Sequence, residues 1–114
     1  LKKQQILVSI STLDISFMVE NNLSHIFKVL HKYKLKVNLI QNSAISFSVC
    51  IEDKFDNFQQ FIEEIKVSYK IDFNKNVSLY TIRHATKKSV VDIEAKGNVL
   101  LKQLTKETVQ IVMN

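Results

Sequence analysis

A chain of 114 residues, 46% hydrophobic, with one glycine and no proline, is long enough for one compact domain or two small ones sharing a core. That composition excludes a disordered tail, and it excludes phosphate-cradling loops, which need several glycines where this chain has only Gly97. The formal charge of +5 comes from sixteen Lys and Arg interleaved with eleven acids, the pattern of a solvated surface rather than a nucleic-acid-binding stripe.

In chain order, Ile6, Val8 and Ile10 alternate with Leu7 and Ser9, which predicts a first strand to about Ser11. Residues 12–20 hold Ile15, Phe17, Met18 and Val19 without a period and read as the strand's end plus a loop. Asn21 or Asn22 can cap a helix whose apolar stripe is Leu23, Ile26, Phe27 and Leu30, with Lys28, Lys32 and Lys34 towards its negative end. Lys36 to Glu52 reads as two strands around a polar corner at Gln41, Asn42 and Ser43. On the first, Val37 and Leu39 share one face and Asn38 and Ile40 the other. On the second, Ile45, Phe47, Val49 and Ile51 alternate with Ser46, Ser48 and Cys50.

Asp53 can cap a second helix with a stripe of Phe55, Phe58, Phe61, Ile62, Ile65 and Tyr69. Ile71 and Phe73 predict a short strand ending in a turn at Asn74, Lys75 and Asn76. A strand over residues 77–83, a short helix capped by Thr86 or Ser89 and closed by Gly97 in a left-handed position, and two strands around Thr105, Lys106 and Glu107 then begin the same order again. The expected fold is α+β: a ferredoxin-like βαββαβ unit over residues 1–75, followed by a second, incomplete unit over 76–114 packed against it. The incomplete unit would bare strand edges, so shared edges or a dimer should cover them.

Catalytic signals are weak. His25 and His31 lie roughly 240° apart around one helix and cannot share a metal. His84 with Arg83 can contact an anion, though capping or plain exposure accounts for it as well. Cys50, the sole cysteine, has no partner for a disulfide and no histidine to activate it, which fits a buried structural role in a reducing cytoplasm. No apolar run approaches the roughly 20 residues that span a bilayer, so a soluble chain is expected. Its start on Leu1 looks like that of a cut-out piece. The amides of Asn38, Gln41 and Asn42 can read a small zwitterion, and they serve equally as turn chemistry. An RNA-recognition domain shares the element order but needs base-stacking aromatics on the open sheet face, where Ser46, Ser48 and Cys50 stand instead.

Two pieces of the first half carry a resemblance: Leu23-Ser24-His25-Ile26-Phe27, and Val37-Asn38-Leu39-Ile40-Gln41-Asn42-Ser43-Ala44-Ile45-Ser46. They resemble the first regulatory ACT domain of aspartokinases, with the later NVSLYTIR and VLLKQLTKETVQIVM similar to strands of a second ACT unit. The resemblance implies the regulatory, dimerising part of an ATP-dependent kinase that phosphorylates L-aspartate in lysine, threonine and methionine biosynthesis. ATP and a divalent metal would bind only in a separate N-terminal kinase domain, so no catalytic residue or cofactor is expected here. The implied partners are an amino-acid effector such as lysine or threonine, a second copy of the chain, and that kinase domain.

The implied effector site comprises Met18, Val19, Glu20, Asn21, Asn22 and Leu23 with Val37, Asn38, Asn42 and Ser43, the helix N-terminal amides receiving the carboxylate. Many members have Asp at the position of Asn38, Ser-Glu at Ser43-Ala44 and Gly at Asn21. The alternatives left open are an altered pocket, a different effector, or a dimerisation module that binds no ligand.

Overall fold

The computed structural model describes residues 1–14 and 16–114; Ile15, read above as part of the first loop, lies outside the described residues. The elements run β1 (Lys2–Thr12), α1 (Glu20–Lys32), β2 (Lys36–Asn42), β3 (Ser46–Glu52), α2 (Phe58–Ile65), β4 (Tyr69–Ile82), α3 (Lys87–Glu94), β5 (Val99–Thr105) and β6 (Thr108–Met113). They form two compact units: Ile6–Phe73, and Leu1–Gln5 with Asn74–Asn114. β1 and β4 each contribute residues to both.

The unit formed by Ile6–Phe73 has strand order β2-β3-β1-β4, with β3 antiparallel to both β1 and β2. Its core joins Ile6, Val8 and Ile10 of β1 and Phe47, Val49 and Ile51 of β3 to Ile26, Val29 and Leu30 of α1 and Phe58, Phe61, Ile62 and Ile65 of α2. The period-2 and period-3.6 stripes read from the sequence meet here, while Leu7 and Cys50 on the opposite face of β1 and β3 are buried as well. Phe27 stays partly exposed and sets its ring edge-on against Phe47 at 5.3 Å.

Several boundaries differ from the sequence expectation. The second helix begins at Phe58, not near Phe55, since the Asp53 carboxylate accepts the amides of Asn57 and Phe58 at 2.9 Å each from across the intervening loop. Phe55 is left 61% exposed, beneath the Lys34 ammonium. Tyr69 belongs to β4, not to the helical stripe, and is buried from there. The corner after β2 is Ser43-Ala44-Ile45, so Ile45 is exposed rather than on the core face.

A register shift between Val37 and Leu39 makes Asn38 a bulge. Val37 pairs with Ile51 on the core face, whereas Leu39 pairs with Cys50 on the other. The two therefore do not share a face, because one extra residue inverts the alternation beyond it.

The second unit has strand order β1-β4-β6-β5, with β6 antiparallel to β4 and β5. The first residues of β1 cluster here, standing where the fourth strand of a βαββαβ unit belongs. The predicted turn at Asn74, Lys75 and Asn76 is instead continuous strand, with Asn76 alone in the left-handed region at φ 54°. Asn tolerates that conformation, so the turn signal is used as a local kink. β5 repeats the bulge of β2, shifting register between Val99 and Leu101. Thr86 caps α3: its hydroxyl accepts the Ser89 amide at 3.1 Å while the Ser89 hydroxyl accepts the Thr86 amide at 2.9 Å.

Gly97 is not in a left-handed conformation. It is required by proximity, since a Cβ there would lie 2.7 Å from the Asn114 backbone oxygen. Gly97→Ala is therefore expected to destabilise the chain by about 1–3 kcal/mol, the usual cost of forcing atoms into filled space. A urea midpoint unchanged from the parent would show that residue 114 yields freely.

Candidate functional site

The loop leading into α1 is latched to the β2–β3 corner: the Met18 amide donates to the Ala44 carbonyl at 2.9 Å. The corner is held by its own serines. The Ser43 amide donates to the Ser46 carbonyl at 2.9 Å, the Ser46 amide donates to Ser43 Oγ at 3.1 Å, and the two hydroxyls lie 2.8 Å apart. Met18 is buried, while Val19, Glu20, Asn21, Asn42 and Ser43 are exposed and Asn22 and Leu23 half-buried.

The helix starts one residue before the predicted caps, with Val19 as N-cap in extended conformation. Asn22, in the first turn, reaches back so that its Oδ1 accepts the Val19 amide at 3.0 Å. By position, the amides of Glu20, Asn21 and Asn22 have no carbonyl four residues back within the helix, and they point along its positive end. A carboxylate placed there would be received by these donors.

Tyr69, which the sequence reading did not connect with this region, ties it to β4. Its hydroxyl lies 3.2 Å from His25 Nδ1 and donates to the Asn22 carbonyl at 3.4 Å. The His25 and Tyr69 rings stack at 5.7 Å.

Val37 and Asn38 do not join this group. Asn38 lies four residues along β2 from Asn42, about 13 Å at the strand's rise per residue. Its amide nitrogen faces Glu52 Oε1 at 3.5 Å, and Val37 packs on the core. The ten residues thus divide between the two ends of β2: Met18 to Leu23 with Asn42 and Ser43, and Val37 with Asn38.

Elsewhere in this unit, Lys32 Nζ and the Tyr33 hydroxyl both meet Glu64 Oε1 at 2.6 Å. The Lys32 bond first, then that of Tyr33, holds the Glu64 carboxyl below its usual range. Cys50 is buried, and desolvation raises its thiol to about 11, so it is not a thiolate at neutral pH. Among the described residues, no three His, Cys, Asp or Glu side chains converge as metal ligands, and no helix is long and apolar enough to cross a membrane.

The second unit repeats the latch. The Ala85 amide, ahead of α3, donates to the Glu107 carbonyl at 2.8 Å, as Met18 does to Ala44. His84 pairs with Glu107 through Nδ1 and Oε2 at 2.8 Å.

No family model and no curated protein matches the sequence. Solved structures do match. Clostridium acetobutylicum aspartate kinase aligns with 99% of this chain at a TM-score of 0.77 and 21% identity. The fold is that of aspartokinase regulatory domains. The regulatory subunit of aspartate kinase from Thermus flavus aligns over 98% of this chain and 84% of its own, with TM-score 0.64 and 10% identity. Escherichia coli aspartokinase III, in its T-state complex with lysine and aspartate, aligns over 98% with TM-score 0.75 and 14% identity. This chain spans only 28% and 29% of the E. coli and C. acetobutylicum chains.

Proposed function

We propose that this chain is the regulatory, non-catalytic part of a cytoplasmic aspartate kinase, and that an amino acid bound at the latched end of the first unit biases the enzyme between states. The observation that carries this reading is the match to the T. flavus regulatory subunit, which takes in nearly all of this chain and most of that one. The lysine-bound E. coli enzyme suggests the ligand class. Within the first unit, the exposed amides at the start of α1 would receive the carboxylate, and Asn42 with the Ser43 hydroxyl would face the remainder of the ligand. Val37 and Asn38, at the far end of β2, would support the strand rather than touch this ligand. ATP, the divalent metal and phosphoryl transfer to aspartate would belong to a separate kinase domain. The outer strand of each unit, β2 in one and β5 in the other, would be covered in a homodimer.

An effector of this kind acts only through unequal affinity for two states, so its binding must shift an equilibrium such as dimerisation. Calorimetric titration with lysine, threonine and methionine separately, alongside sedimentation, is expected to show saturable binding of one of them and a tighter dimer. Asn42→Ala should weaken that binding about tenfold, the worth of one hydrogen bond to a charged group. A folded dimer that produces no heat with any of the three would remove the effector reading and leave a dimerisation module.

A further inference from the structure

Tyr69 opens β4 and is buried, its ring packed among the apolar side chains of the first unit's core. A phenylalanine would fill that space, so the hydroxyl is the part that packing does not explain. Three atoms of α1 lie around it: His25 Nδ1 at 3.2 Å, the Asn22 carbonyl at 3.4 Å and Asn22 Nδ2 at 3.5 Å. A phenol has one proton to donate and lone pairs to accept with, a carbonyl can only accept, and an amide nitrogen can only donate. The Tyr69 proton therefore goes to the Asn22 carbonyl, and Asn22 Nδ2 donates to the phenol oxygen. His25 completes the set only as a donor, with a proton on Nδ1. With that nitrogen bare, it would compete for the one phenol proton, and the carbonyl would lose its bond.

Asn22 carries this arrangement outward. Its Oδ1 accepts the Val19 amide at 3.0 Å while Nδ2 of the same planar group faces Tyr69, so the amide is held at both ends. Val19 follows Met18, whose own amide is bonded to the Ala44 carbonyl. Linked groups thus run without a gap from the start of β4, through the first turn of α1, to the β2–β3 corner. Tyr69 stands 47 residues from Asn22 and 44 from His25, so the fold alone brings the three together.

We infer that Tyr69, Asn22 and His25 form a clasp that holds the entry to α1 against the β2–β3 corner, and that the placement of the His25 proton sets it. A proton on Nδ1 leaves the Tyr69 proton on the Asn22 carbonyl and the clasp closed. A bare Nδ1 draws the phenol proton to His25 and loosens the hold on Asn22 and, through it, on the Val19 amide. Tyr69 and His25 are thus positioning residues, acting through Asn22 on the helix end and touching no ligand themselves. The inference deepens the regulatory reading, since a carboxylate received by the amides of residues 20–22 would meet a fixed helix end when the clasp is closed. It rests on that reading for the ligand, though not for the clasp.

The test combines ¹⁵N shifts of the His25 ring with hydrogen exchange of the backbone amides, on the whole chain. At a pH where the ring is neutral, Nδ1 should carry the proton in the parent, and Tyr69→Phe should abolish that preference. Tyr69→Phe keeps the buried ring and should speed exchange of the Met18 and Val19 amides about tenfold, the worth of one hydrogen bond, while the Phe61 amide of α2 keeps its parent rate. His25→Leu, which removes the ring donor, should do the same, and the double variant should be no faster than either, as members of one network are not additive. A proton on Nε2 in the parent, unchanged Met18 and Val19 rates, additive effects, or a Phe61 amide accelerated in step with them would each overturn the clasp. Titrated with lysine, threonine and methionine, Tyr69→Phe should bind the amino acid taken by the parent about tenfold more weakly. Equal affinity would overturn the clasp's part in binding. A parent that binds none of the three would remove the effector reading instead, and the exchange rates would still decide the clasp.

Discussion

Phe61→Ala should lower the stability of the chain by about 3–5 kcal/mol, a loss comparable with the whole stability of a small domain. Phe61 is fully buried in α2, among Phe58, Ile62 and Ile65 and opposite the β1 and β3 side chains of the same core. Truncation removes the transfer free energy of the ring and leaves a cavity that close-packed neighbours cannot fill. Phe55→Ala, six residues earlier on the same predicted stripe, should cost less than about 1 kcal/mol, since that ring is 61% exposed and its main contact is the Lys34 ammonium 5.7 Å from its centroid. Urea unfolding of the two variants measures the contrast directly. Equal losses would mean that the helix begins near Phe55 after all.

The second large effect is on Cys50. Its thiol should react with a disulfide reagent at least a hundredfold more slowly in the native chain than in urea, because labelling must wait for an opening and about 5 kcal/mol of stability suppresses that opening by 10³–10⁴. Burial also carries a pH consequence. The thiol's folded value, about 11, lies above its ordinary value of 9.0 because burial strips the thiolate of water, so the native state holds the proton more tightly. The associated stability is fully present below pH 9 and is lost as pH rises towards 11. Cys50→Ala should flatten this alkaline decline. Fast labelling of the native protein, or a decline unchanged in the alanine variant, would contradict the buried placement.

The reading of α2 shows how far periodicity carries. Phe58, Phe61, Ile62 and Ile65 fit a 3.6 period and are all buried, as that period requires. Phe55 and Tyr69 fit the same period and lie outside the helix. Its start is decided by Asp53 reaching Asn57 and Phe58, and by the Asn57 side chain donating to the Tyr33 carbonyl at 2.9 Å. The latter partner is 24 residues away, beyond any local pattern.

The candidate site divides in the same manner. That residues 18–23 open a helix, and that Asn42 and Ser43 lie near a strand corner, follows from cap and turn chemistry. The Met18–Ala44 bond and the Tyr69 hydroxyl at Asn22 and His25 link residues 26 to 47 positions apart, so only the folded chain could disclose them. The resemblance groups Asn38 with Asn42, and the bulge at Asn38 separates the faces of Val37 and Leu39 that an unbroken strand would have aligned.

By itself, then, the sequence determined the α+β class, the order of elements apart from the two strands that merge into β4, and most of the first unit's core side chains, because apolar periodicity is a local property written into consecutive residues. Tertiary structure alone decided that Leu1–Gln5 joins Asn74–Asn114, that Gly97 is needed for room rather than for its dihedral, and that Glu107 meets both the Ala85 amide and the His84 ring. Each of these depends on groups brought together from distant points of the chain, and the energy of such contacts leaves no periodic trace in the residues that make them.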